Sequence, residues 1–205
     1  MQTLPLYSES LDGRFISQAV EALREGLIII CPTDTLYALV CDALNQRAIE
    51  RLCHLKGLIP EKNYLSVICS DISQAAEYAK IDNQAFKIIK EYLPGPFTFI
   101  LPASTRLPKV FKGRKTVGVR IPASTVARGL AEALGNPLLA TSVDPYDEED
   151  STSVVNTELI AEKYENNAEL IIDAGDGNIQ PSTVVDLTDS SAPEIIRQGA
   201  GIFTL

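Results

Sequence analysis

Histidine is almost missing from this chain: 205 residues contain one, His54. A Ser-His-Asp or Cys-His hydrolase would have to use it, and no G-x-S-x-G elbow accompanies it. His54 lies between Cys53 and Leu55 in a helical stretch, which favours a surface or half-buried position over catalysis. No C-x-x-C pair occurs either. Cys31, Cys41, Cys53 and Cys69 are widely spaced in apolar surroundings, the pattern of buried reduced thiols rather than of a zinc site or a disulfide framework. Long apolar runs are also lacking. Leu27-Ile28-Ile29-Ile30 stops at Cys31-Pro32, far short of the roughly 20 residues that cross a bilayer. The opening MQTLPLYSES has neither the basic flank nor the apolar core of a secretory signal. No membrane association is therefore expected, and the cytoplasm is the expected compartment. A Walker loop and a G-x-G-x-x-G are absent too, which removes the two commonest nucleotide folds.

The charge is unbalanced. Net charge is −9, a poor match to a protein built mainly to coat nucleic acid. Arg106, Lys109, Lys112, Arg114, Lys115 and Arg120 nevertheless occur without an intervening acid. Asp144, Asp147, Glu148, Glu149 and Asp150 crowd a later segment. Solvated loops account for most of these side chains. They do not account for Arg120, which stands inside an apolar strand.

Strand-like and helical patterns alternate along the chain. Ile16, Val20 and Leu23 mark an amphipathic helix after the Asp12-Gly13 turn. A strand over 27–31 and an apolar run near 36–41 follow. Asn45 caps a helix whose inner face is Ala48, Ile49, Leu52 and Cys53. Next come a strand at 64–69 and helices near 71–79 and 82–93, the second stopped by Pro94-Gly95-Pro96. Strands at 97–102 and 117–121, a helix near 124–134, a strand at 138–141 and a helix near 157–165 continue the series. Strands at 169–173, 183–187 and 194–197 complete it. No composition shift or flexible linker divides the chain, so one domain over 1–205 is expected. Its class is α/β: a twisted mixed sheet with flanking helices.

Open α/β sheets bind ligands at strand ends, and polar residues occupy four such places. They are Thr33-Asp34-Thr35, Arg120, Thr141-Ser142-Val143-Asp144, and Ser182 with Arg197 close behind. Lys56 and Lys62 flank the loop after the second helix. Each has a plain structural alternative: a hydroxyl can satisfy a turn, and an arginine can pair with a carboxylate. Together, hydroxyls and cations at separate strand ends suit a phosphate-bearing ligand.

These residues carry a resemblance. Pro32-Thr33-Asp34-Thr35-Leu36-Tyr37, Lys56-Gly57, Lys62, Pro94-Gly95-Pro96-Phe97-Thr98, Val119-Arg120-Ile121-Pro122, Thr141-Ser142, Pro181-Ser182-Thr183-Val184-Val185-Asp186 and Arg197-Gln198-Gly199 stand in order. The ordered set, over about 14–203, resembles the YrdC/YciO-like family. The resemblance implies a twisted sheet with a concave basic cleft. It further implies an L-threonylcarbamoyladenylate synthase-like nucleotidyltransferase that uses ATP, bicarbonate or CO₂ and L-threonine, and serves the t6A modification of tRNA. By position, Thr35 and Thr33 would meet threonine, and Lys56 and Lys62 the triphosphate. Arg120, Ser142, Ser182 and Arg197 would line the adenylate and carbamate region. Mg²⁺ would enter with ATP, and no residue would act as a covalent nucleophile.

Two positions depart from the synthase pattern. Lys-x-Arg is replaced by Lys56-Gly57-Leu58, and Ser-x-Asn by Ser142-Val143-Asp144. Loss of a guanidinium fork removes about 2 kcal/mol of binding to an anion. An aspartate beside phosphates repels them unless it is protonated or meets a cation. Both changes resemble the YciO-type branch. Two other functions stay open: a non-catalytic protein associated with double-stranded RNA or ribosomes, and an enzyme forming a different adenylate. Given the acidic net charge, binding to tRNA or duplex RNA is expected to be weak.

Overall fold

The structure is a computed structural model that describes residues 1–6, 13–113, 115–144 and 151–204. Arg114 and the acids at 147–150 lie outside the described residues, as does Asp12 of the expected first turn. In chain order the elements are β1 Gln2–Pro5, α1 Gly13–Arg24, β2 Ile29–Cys31, β3 Ala38–Asp42, α2 Gln46–Leu55, β4 Ser66–Ile68, α3 Ile72–Tyr78 and α4 Asn83–Tyr92. They continue as β5 Phe97–Pro102, β6 Thr116–Arg120, α5 Thr125–Leu134, β7 Leu138–Ser142, α6 Thr157–Lys163, β8 Leu170–Asp173, β9 Thr183–Asp186 and β10 Glu194–Arg197. Short 3₁₀ turns cover Lys109–Lys112 and Ser151–Val154.

All ten strands join one mixed sheet in the order β1-β8-β2-β3-β7-β4-β6-β5-β9-β10. It combines parallel pairs (β1/β8, β2/β8, β4/β6, β5/β9) with antiparallel ones (β2/β3, β3/β7, β4/β7, β5/β6, β9/β10). The central strands are apolar on both faces, as burial on both sides requires. Along β2 and the residue before it, Ile28 and Ile30 face one core, and Ile29 and Cys31 face the other.

The first core is broad. It joins that face of the sheet to α2, α3, α4 and α6, and includes Phe97 and Phe99 of β5 with Phe203 from the C-terminal segment. The helices start where short polar side chains accept free backbone N–H groups: Asn45 from Ala48, Asp71 from Gln74, Asp82 from Ala85, Asn156 from Leu159.

The second core covers only part of the opposite face. There α1 and α5 pack together over β1, β8, β2, β3, Ile68 of β4 and Leu138 of β7. Further along that face the alternation brings up Ser66, Gly118, Arg120, Thr98, Ile100, Val184 and Ile196, and none of these joins the helix-packed core. The part of the sheet left without a helical roof is where the cleft lies.

Candidate functional site

The cleft measures about 510 Å³, within the usual range for small-molecule sites. Its floor is made by β4, β6, β5 and β9, and its ends by the β2–β3 loop, β7 and β10. Gly118 keeps the floor low: a Cβ there would collide with Ser66 Oγ and press on Thr98 Cγ2 at 3.0 Å.

Arg120 ends β6 in the centre of this floor and is only 9% exposed. Its Nη2 donates to Thr35 Oγ1 at 2.8 Å and to Asp34 Oδ1 at 3.3 Å, while Nε has no hydrogen-bond partner. Burial lowers the pKa of the guanidinium, and the neighbouring Asp34 acts in the opposite sense. Asp34 is pinned from its other oxygen by the Ala123 N–H at 2.8 Å. A buried cation held from one side by a carboxylate has the chemistry to pair with an oxyanion.

The Thr33-Asp34-Thr35 turn is self-supporting. The Thr33 hydroxyl donates to the Leu36 carbonyl at 2.7 Å and accepts the Thr35 N–H at 3.0 Å. Thr33 has spent its one proton, so in its 3.0 Å contact with Thr35 the Thr35 hydroxyl donates. Thr35 therefore gives its proton to Thr33, accepts from Arg120 and keeps an acceptor lone pair. Thr35 lines the cleft; Thr33 lies behind it.

The other strand ends arrive at the same space. Thr98 and Ser182 share a hydroxyl–hydroxyl bond of 2.8 Å. Arg197 donates to the Ser182 carbonyl from Nε at 3.2 Å and from Nη2 at 2.9 Å. Partial burial lowers its pKa as well. Gly199 lets this turn close, because a Cβ would strike the Pro181–Ser182 backbone. Thr183 fastens it further, accepting the Gly199 N–H at 2.9 Å.

Arg120, Ser142, Ser182, Arg197, Thr35 and Leu58 thus meet around one cavity. Lys56, Lys62 and Asp144 are not among its lining residues. Lys62 is exposed on the loop after α2. Lys56 is paired with Asp144 and donates to the Ser142 carbonyl at 2.8 Å. The expected repulsion from Asp144 is accordingly answered by a cation of this chain.

Sequence reasoning missed Tyr164. Its hydroxyl accepts the Asp144 N–H at 3.0 Å and donates to Asp144 Oδ2 at 3.3 Å. Burial pushes this phenol up to about 12; the Asp144 N–H acts against it and the Asp144 carboxylate with it. Tyr64, Asn63 and Ser66 also line the cleft unforeseen; the Lys62-Asn63-Tyr64-Leu65-Ser66 stretch was the available signal. His54 is exposed on α2 away from the cleft, and the four cysteines are buried and unpaired. Cys31 lies in the field of Arg120, yet burial pushes its thiol up to about 12, which leaves it a poor nucleophile.

An α/β protein with an arginine-lined cleft on the unroofed part of its sheet is the class that fold and site define. More particularly, the chain belongs to the Sua5/YciO/YrdC family, whose sequence model, described as "Telomere recombination", matches residues 21–199. The crystal structure of Escherichia coli YciO superposes with a TM-score of 0.88 at 35% identity, covering 98% of this chain and 97% of that one. An uncharacterised Haemophilus influenzae protein is 39% identical over 198 residues, 96% of this chain and 94% of its own length. The structure of Pyrococcus abyssi Sua5 complexed with L-threonine aligns at a TM-score of 0.82 and 31% identity, over 97% of this chain and 57% of that one.

Proposed function

We propose that this chain is a nucleotidyltransferase of the threonylcarbamoyl-AMP synthase kind, using Mg-ATP, bicarbonate or CO₂ and L-threonine. The observation that carries the reading is Arg120, which lines the cleft, is buried and fixed by Asp34 and Thr35, and has an unpartnered Nε. In the reaction the threonine amine adds to CO₂ and loses a proton, giving a carbamate. A carbamate oxygen then attacks the α-phosphorus, and the bond to pyrophosphate breaks. The chemistry needs positioning and charge neutralisation, with no covalent bond to the protein.

The residues divide the work accordingly. The Thr35 lone pair suits the amino acid's ammonium group before carbamate formation. Arg120 and Arg197, with the hydroxyls of Ser142 and Ser182, suit the carbamate and the α-phosphate. Lys56 and Lys62 lie outside the cleft lining and would meet the β- and γ-phosphates only where these extend past it. Mg²⁺ would enter on the phosphates of ATP. Threonine as substrate is supported by the relative crystallised with it, and the product would serve tRNA t6A formation.

A second reading is favoured by one observation. Leu58 lines the cleft, as do Leu65, Ile100, Val184 and Ile196, and this apolar surface suits an acceptor other than threonine. Both readings are tested by incubating the protein with ATP, bicarbonate and each amino acid, and measuring pyrophosphate and adenylate product. Threonine-dependent product supports the first, and product with another amino acid supports the second. Mg-ATP giving no heat and no thermal shift at millimolar concentration would sink both. Submicromolar duplex-RNA affinity at physiological salt would favour an RNA-associated role instead.

A further inference from the structure

Lys56 is the C-cap of α2, and its side chain is 7% exposed. Its ammonium has three donors. One meets Asp144, and another the carbonyl of Ser142, a residue whose side of the strand lines the cleft. Asp144 is fixed in turn by Tyr164, the buried C-cap of α6, through bonds to its N–H and its carboxylate. Two helix ends more than a hundred residues apart therefore close on the end of β7 and keep Lys56 out of the cavity. Arg120 and Arg197 are then the cations that the cleft itself presents among the described residues.

We infer that Tyr164 and Asp144 form a specificity-determining latch that withdraws Lys56 and sets how strongly the site favours polyphosphate over monophosphate. The inference rests on the nucleotide-binding reading above. A single phosphate is served by Arg120 and Arg197 and needs nothing from Lys56. A polyphosphate extends to the rim, where it competes with Asp144 for Lys56 and is repelled by the Asp144 carboxylate, which is 54% exposed. Tyr164 acts through Asp144: it holds the carboxylate against the lysine and is a positioning residue.

The test is a set of metal-free calorimetric titrations with AMP, ATP and inorganic pyrophosphate on the native protein and on Asp144→Asn, Tyr164→Phe and Lys56→Met/Asp144→Asn. Asp144→Asn should tighten ATP and pyrophosphate about tenfold, as one freed charge-assisted contact provides, and leave AMP within about twofold. Tyr164→Phe keeps the carboxylate but loosens it, and should move ATP the same way by less. The double variant should lose the gain. The latch is overturned if AMP and ATP tighten together, if Asp144→Asn weakens ATP, or if the gain survives without Lys56. The two levels separate cleanly. Pyrophosphate bound tightly by Asp144→Asn through Lys56, with no adenine nucleotide bound by any form, keeps the latch and removes the nucleotide reading. Pyrophosphate bound by neither native nor variant protein overturns the latch.

Discussion

Arg120 keeps a donor free because Asp34 and Thr35 both approach the same terminal nitrogen. The pair it forms with Asp34 is buried, each side chain being 11% exposed. Removing one partner strands the other in low dielectric, which commonly costs about 3–5 kcal/mol. Asp34→Ala is therefore expected to lower unfolding stability by about 3 kcal/mol in urea titrations. It should also loosen any oxyanion ligand, because Arg120 is left unanchored. Stability within about 0.5 kcal/mol of native would mean that water replaces the carboxylate and that Arg120 is less enclosed than its geometry shows. Leu58 has a structural reason as well. After α2, Gly57 takes φ +61° and the Leu58 N–H donates to the Cys53 carbonyl at 2.8 Å. That is a Schellman end, whose next residue is ordinarily apolar and packs on the helix. Leu58 packs on the first core. Leu58→Arg gives up this contact and places a guanidinium on the cleft wall, so threonine-dependent pyrophosphate release should rise through a lower KM, by about 10–100-fold in affinity. A neutral or harmful effect in a protein already efficient with threonine would show that the native loop needs no arginine.

Among elements, those with local signals were legible. The inner face expected for α2 (Ala48, Ile49, Leu52, Cys53) is the buried face observed, and Asn45 is its cap. The strands ending at Arg120 and Ser142 were placed to within a residue or two. The first strand was not found: Gln2–Pro5 has no alternation of its own and exists by parallel pairing to β8, some 168 positions away in register. The expected strand at 64–69 shortens to Ser66–Ile68, and Tyr64 and Leu65 line the cleft from the segment before it. Gly118 likewise reads in sequence as an ordinary strand glycine, and only the neighbouring strands show why it is there. Gly118→Ala must displace Ser66 or Thr98. It should cost about 1–3 kcal/mol of stability and weaken ligand binding more than a surface change does. A variant as stable as native that binds ATP equally well would show that the floor yields freely.

For the whole molecule, the two-sided core has a consequence in alkali. Burial pushes the thiols of Cys31 and Cys69 from 9.0 up to about 12, and raises Cys41 and Cys53 as well. Tyr37 and Tyr164 rise from 10.0 to about 12, burial again being the first cause. Each raised group stays protonated in the folded chain after its unfolded counterpart has ionised. The stability it contributes is thus complete below about pH 9 and is lost as pH climbs toward 12. Cys31 and Cys69 each contribute about 1.4 kcal/mol per pH unit over that window. Urea midpoints should be level between about pH 7 and 8 and fall steeply above 9; a midpoint that holds to pH 11 would contradict the burial of these thiols. Net charge belongs to this scale too. At −9 the molecule is acidic, yet among the described residues the cleft is lined by arginines and no carboxylate. Composition averages over a surface that the fold divides.

The residues by themselves determined the α/β class, the capped helices, the buried reduced cysteines and the list of polar strand ends, because each depends on spacing within one element. They also carried the family resemblance, through motifs in a fixed order. Tertiary structure decided which of those polar residues share a cavity. It brought Thr35, Arg120, Ser142, Ser182 and Arg197 together across strands distant in sequence, and set Thr33 behind Thr35. It also turned Asp144 from an isolated acid into the partner of Lys56 and Tyr164. The physical reason is the reach of α1 and α5, which roof one part of a twisted sheet and leave the other open. No periodicity within a strand records where a helix from elsewhere in the chain stops.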